Sequence, residues 1–115
     1  ANFYNKIFSD NSFFDIIKIN ENVVSAYHLY PLQLKNYKKI NKIKLMHRLK
    51  KNNIFSQIHY SPLNRQPLYK KRNAEFPGSQ IYFEKSFSLP IHDGISLKDA
   101  KKIAIVIKNE YSKIS

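Results

Sequence analysis

Ser96-Leu97-Lys98-Asp99 has the S-x-x-D form in which a serine hydroxyl caps a helix and the acid three residues on reaches back to the cap. Leu97, Ala100, Ile103, Ala104 and Ile107 follow at helical spacing, so a helix is predicted from about Leu97 to about Glu110. This feature constrains the fold most. A helix of that length is marginal alone in water and draws its stability from laying its apolar stripe on another apolar surface. The rest of the chain must supply that surface.

Candidates for it are spread along the sequence. Residues 2–9 place Phe3 and Ile7, with Tyr4 and Phe8 beside them, on one helical face, and read as the tail of a longer helix. Residues 23–34 are β-prone, with Val23, Val24, Tyr27, Leu29 and Tyr30 before Pro31, and read as a strand whose end the proline bends. Asn41 suits the cap of a helix carrying Leu45, Met46 and Leu49 on one side, and Asn53 suits the left-handed position beyond its end. Residues 54–60 alternate as a second strand would, which completes a β-α-β unit. Residues 61–77 hold three prolines and no regular period, and read as a loop. A short helix over residues 78–87, a short strand over 87–91 and a turn at Asp93-Gly94 lead into the last helix. The expected fold class is α+β, a small sheet with helices packed on one side.

At 115 residues the chain fits one domain that buries roughly two thirds of its unfolded surface. With 43% hydrophobic and 14% aromatic residues it has the apolar area to fold. It has no cysteine, so no disulfide framework or thiolate metal site forms, and four scattered histidines without nearby carboxylates do not make a metal site. No apolar run approaches the ~18 residues that span a bilayer, and the start lacks signal-peptide order; a cytoplasmic location and no membrane partner are expected.

The net charge of +12 attracts phosphate-bearing partners. Yet 17 lysines stand against 3 arginines, and 15 isoleucines and 12 asparagines accompany them, a bias that AT-rich codons produce. Residues 35–51 carry eight basic residues and no acid, which a nucleic-acid backbone would suit. Only Tyr37 is at hand to stack a base there, so a solvated helix face is the simpler expectation. A stand-alone basic module that binds nucleic acid or another polyanion is the rival reading.

Catalytic signatures are missing. There is no G-x-S-x-G elbow, no H-E-x-x-H and no glycine loop for phosphate, since Gly78 and Gly94 are the only glycines. No catalytic residue is assigned. His59 ends the second predicted strand, where a ring can donate to phosphate or sugar oxygens; the structural alternative is a half-buried histidine satisfied by its own surroundings. Tyr60 offers a flat apolar face and one hydroxyl to a sugar or base, or simple packing, and Tyr69 and Tyr82 offer the same. Arg65, with Lys70, Lys71 and Arg72, can hold a diphosphate by charge-assisted hydrogen bonds, or face solvent. His28 reads as structural, His47 as solvated, and His92 as a hydrogen-bonding turn residue.

Three phrases stand in register: Tyr27-His28-Leu29-Tyr30-Pro31; Ile58-His59-Tyr60-Ser61-Pro62-Leu63 with Gln66-Pro67-Leu68-Tyr69; and Ser88-Leu89-Pro90-Ile91-His92-Asp93-Gly94. With them the chain, from about Asn2 to about Tyr111, resembles the C-terminal small domain of the DegT/DnrJ/StrS family of pyridoxal-phosphate-dependent sugar-nucleotide aminotransferases. The first phrase looks most like the branch that aminates 4-keto-6-deoxy amino sugars for surface glycans. At Asn52-Asn53-Ile54 many relatives have glycine before the isoleucine, and asparagine takes the same left-handed geometry.

The resemblance implies the small domain of a fold-type I aminotransferase, spanning residues 1–115. It also implies pyridoxal phosphate held by a lysine and an aspartate of a large N-terminal domain that this chain lacks, so that the chain is inactive alone and binds no coenzyme by itself. The implied partners are a nucleotide-sugar substrate, an amino donor such as glutamate, the large domain, and a second copy in the full enzyme's homodimer. The implied substrate contacts are His59 and Tyr60, which match the family's His-Tyr phrase at the cleft. Ser88-Leu89-Pro90 matches its Ser-Leu-Pro phrase, chiefly structural. A domain separated from its partner is expected to self-associate through bared apolar surface.

Overall fold

The computed structural model describes residues 1–69 and 75–115, so Lys70, Lys71 and Arg72 lie outside the described residues. Helix α1 (Asn2–Phe8) is followed by strand β1 (Phe14–Ile16), strand β2 (Tyr30–Leu34) and helix α2 (Lys42–Lys51). A single 3-10 turn (Leu63–Arg65), helix α3 (Pro77–Lys85), strand β3 (Ser86–Leu89) and helix α4 (Leu97–Ser112) complete the chain. The class is the expected α+β, but the sheet is antiparallel throughout, in the order β1-β2-β3.

Helix α4 forms as its sequence dictates. Ser96 accepts from the Asp99 amide and Asp99 reaches back to the Ser96 amide, a complete capping box. Ala100, Ile103, Ala104, Ile107 and Tyr111 are buried, while Leu97, expected in the stripe, stays exposed because it precedes the first turn that meets the core. Along β2 burial alternates, with Tyr30, Leu32 and Leu34 turned into the core. Leu32 pairs with Phe87 of β3, and Leu34 with Phe14 of β1. Tyr4 and Phe8 of α1 are the buried pair, with Phe3 and Ile7 half-buried beside them. The aromatic rings of Phe8, Phe14 and Tyr111 meet edge to face, an arrangement their quadrupoles favour.

Three expectations are corrected, and one strand lies outside them. The strand expected over 23–34 begins only at Tyr30 and runs through Pro31 instead of ending there; Val23 and Val24 are exposed, because β-branched residues make a strand only where a neighbour completes the ladder. Residues 54–60 make a single bridge, Gln57 to Ser88, so there is no parallel β-α-β unit. Strand β3 starts at Ser86 and ends at Leu89, slightly earlier than expected. Strand β1 went unforeseen because three residues carry too little period to be seen.

Helix α2 confirms its caps. The Asn41 side chain accepts from the Lys44 amide, and Asn53 has φ 59° in the left-handed region. No helix among the described residues is long and apolar enough to cross a membrane.

Candidate functional site

The bridge that replaces the expected second strand builds the site. The Ser88 amide donates to the Gln57 carbonyl at 2.7 Å, and the Gln57 amide to the Ser88 carbonyl at 3.1 Å. Two residues further on, His59 Nδ1 lies 3.1 Å from Ser88 Oγ. Ser88 is buried on β3, so a rigid strand fixes one edge of the His59 ring. His59 itself is half-buried and borders a cleft of about 580 Å³. One ring nitrogen of this histidine is satisfied by protein while the residue borders open space.

The cleft gathers all three sequence phrases. His28 comes from the segment before β2, His59 from the bridge segment, and Leu89, Pro90, Ile91 and His92 from the end of β3. Asp99 and Lys102 border it from α4, and Asn52 and Asn53 from the end of α2. His28, expected to be structural, is exposed at the cleft, since the ladder begins two residues later. His92 accepts the Gly94 amide on Nδ1 at 3.1 Å, a short-range turn contact that its place beside Asp93-Gly94 foretells. His47 is solvated as expected.

Tyr60 stands outside the cleft lining. It is 77% exposed, and the His59 ring meets its own edge to face at 5.1 Å. Arg65 is also exposed; its Nη2 donates to Gln80 Oε1 at 2.6 Å and its guanidinium lies over the Phe83 ring of α3. That engagement holds Arg65 on α3 rather than among the residues bordering the cleft. Tyr69 is exposed and Tyr82 half-buried, both away from the cleft lining. What sequence reasoning missed was the convergence of His28, His92 and Lys102 with His59, because nothing local relates residues some 30 positions apart.

The basic stretch 35–51 does not form one free surface. Lys35 donates to the Asn11 carbonyl at 2.6 Å, and the Lys42 ammonium is buried against the carbonyls of Phe83 and Ser86. Burial pulls the Lys42 ammonium below its ordinary pKa, against the opposing pull of Glu84. Arg48 pairs with the buried Glu110, which Lys113 also contacts at 2.7 Å. The Lys113 hydrogen bond, more than that of Arg48, holds the Glu110 carboxyl below the usual carboxylate range against its desolvation. Three cations of the stretch therefore serve the fold.

A pyridoxal-phosphate holder needs an amine for the carbonyl carbon, a carboxylate for the ring nitrogen and a cradle for the phosphate. Lys102 is the cleft's lysine and sits on an exposed turn of α4, while Asp99 Oδ2 is already occupied by the Ser96 amide at 3.1 Å and hydroxyl at 2.6 Å. The described residues do not fit the coenzyme by themselves.

A small antiparallel sheet backed by helices carries a histidine-bordered cleft at the end of its third strand. The chain belongs to the DegT/DnrJ/EryC1/StrS aminotransferase family, which matches residues 1–108. It is similar to a Campylobacter jejuni UDP-4-amino-4,6-dideoxy-N-acetyl-beta-L-altrosamine transaminase, 36% identical over 103 residues, covering 88% of this chain and 27% of that one. Among solved structures it is similar to Helicobacter pylori PseC, an aminotransferase involved in the biosynthesis of pseudoaminic acid. The TM-score is 0.87 at 25% identity, over 97% of this chain and 31% of that one. A family aminotransferase from Brucella abortus gives a TM-score of 0.77 at 27% identity, over 94% of this chain and 28% of that one. The chain thus spans less than a third of the length of each.

Proposed function

We propose that residues 1–115 are the small C-terminal domain of an aminotransferase that moves an amino group, from a donor such as glutamate, onto a nucleotide-linked ketosugar for surface polysaccharide. The reaction requires a large domain that holds pyridoxal phosphate, and a homodimer of the joined polypeptide in the cytoplasm. Bound there, the coenzyme supplies an electron sink for the amine carbon. The small domain's work is to border the substrate and orient it.

The observation that carries this reading is His59, anchored through Nδ1 to the buried Ser88 and bordering the cleft, within a chain that matches the family over residues 1–108. A ring fixed on one edge presents its other nitrogen in one direction, which suits orientation of a sugar or phosphate oxygen. Tyr60, exposed beside it, supplies an apolar face for the same substrate. Arg65 is the third proposed contact; to reach a diphosphate it must leave Gln80, an exposed exchange of small cost.

The test joins this chain to the large domain of the Campylobacter jejuni relative in place of that protein's own small domain. His59→Gln in the joined protein should raise KM for the nucleotide sugar roughly tenfold, the loss of one hydrogen bond to a charged or polar group, with KM for glutamate unmoved. Equal change in both constants, or in neither, contradicts the assignment.

A further inference from the structure

The ladder between β2 and β3 stops at the pair Tyr30 and Leu89. Beyond it, His28 and Leu29 lead into β2 and Pro90, Ile91 and His92 lead out of β3, and both segments border the cleft. They share no backbone hydrogen bond among the described residues. Backbone released from a ladder needs another fastening to keep one place. Helix α1 supplies it from two adjacent residues. The Tyr4 hydroxyl donates to the Pro90 carbonyl at 3.1 Å. The Asn5 carboxamide, next along the helix, donates through Nδ2 to Tyr27 Oη at 3.0 Å and accepts from Tyr30 Oη on Oδ1 at 2.7 Å.

Tyr27 needs this fastening most. Its φ of 47° lies in the left-handed region, which bulky side chains rarely adopt and which persists only where the surroundings over-determine it. Here the Ser25 hydroxyl accepts the Tyr27 amide at 3.1 Å, and Asn5 holds the phenol at the far end of the same residue. The conformation of Tyr27 decides where His28, the next residue, stands at the cleft. Both phenols that donate keep their protons. Burial, then the Asp99 carboxylate, pushes the Tyr4 phenol up to about 12, and burial, then Tyr27 and Tyr4, raises that of Tyr30. The buried Tyr4 and Tyr30 rings lie 5.0 Å apart, which joins one anchor to the other.

We propose that Tyr4 and Asn5 are positioning residues for the cleft: together they make α1 a single clamp that sets how the 27–29 and 90–92 segments stand beside each other, so that a shift of α1 moves both. That the clamp governs a substrate rests on the function proposed above; the clamp itself does not.

The test compares backbone amide order at residues 28, 29, 91 and 92 of the 115-residue chain by nitrogen relaxation. Tyr4→Phe deletes one hydroxyl and keeps the ring; Asn5→Leu deletes the carboxamide at nearly the same size. Each should lower the order parameters of both segments from about 0.85 toward about 0.6, including the segment its own side chain does not touch. Asn5→Asp should restore them, since a carboxylate accepts from both phenols. Leu32 and Phe87, inside the ladder, should stay rigid in every variant, and Lys44→Gln, at an exposed position on α2, should change nothing. Loss confined to the touched segment overturns the clamp, because the two anchors then act separately. Equal loss at Leu32 and Phe87 also overturns it, for it marks a general loosening of the fold. In the joined protein Asn5→Leu should raise KM for the nucleotide sugar about threefold, with KM for glutamate unmoved and Asn5→Asp near the native value. If both segments loosen and KM holds, the clamp stands and the cleft's part in substrate binding falls. If KM rises while both segments stay rigid, the outcome is the reverse.

Discussion

Strand β3 and the segment between β1 and β2 both carry large apolar residues, and they end in opposite environments. All four residues of Ser86–Leu89 are buried, whereas Ile17, Ile19, Val23 and Val24 lie exposed in a stretch without regular structure. What separates them is company. β3 has β2 on one edge, the Gln57 bridge on the other and the carbonyl-binding ammonium of Lys42 at its start. The 17–24 stretch has none of these. Apolar sequence brings a strand only where backbone donors and acceptors are met on the spot, and an apolar stretch left uncovered on one lobe is surface for another body.

The sharpest way to break the contrast is to hollow the buried side. Leu32→Ala, opposite Phe87, should cost about 3–4 kcal/mol in chemical unfolding, as for a fully buried leucine that leaves a cavity; a loss under about 1 kcal/mol contradicts the burial. Lys42→Met should come next. It strands the Phe83 and Ser86 carbonyls at the junction of α3 and β3, and about 2 kcal/mol should disappear in the same measurement.

Acid sharpens the comparison further. Glu110 has a folded pKa below its unfolded one, so its contribution is complete above the unfolded carboxylate range and is lost as pH falls through the folded value. Stability of the native chain should therefore drop on acidification through that window, and the drop should shrink in Glu110→Gln. On the exposed side, Val24→Ser should change stability by less than about 0.5 kcal/mol, yet reduce self-association of the isolated chain in sedimentation at high concentration. A clean monomer in the native chain would remove the case for a docking surface there.

Helices were legible wherever capping chemistry and apolar spacing agree locally. Ser96 with Asp99, Asn41, and the left-handed Asn53 each announce a boundary from adjacent residues alone. Strands were legible only in part, because β-propensity measures fit to a surface that other segments must provide; Val23 and Val24 fit one that is not there. Of the site, His59 could be read from its phrase. The Ser88 anchor could not, for it depends on a single bridge across 31 residues between Gln57 and Ser88. Nor could the fate of the basic stretch be read from its charge, since Lys42 and Arg48 meet partners supplied by α3, β3 and α4.

The account turns on the chain being one wall of a cleft whose reacting groups stand on a separate domain. The direct measurement is amino transfer from glutamate to a UDP-linked 4-ketosugar, with pyridoxal phosphate present, by the 115-residue chain and by the same chain joined to the Campylobacter jejuni large domain. The joined protein should turn over and the chain alone should not; turnover by the 115 residues alone would contradict the account.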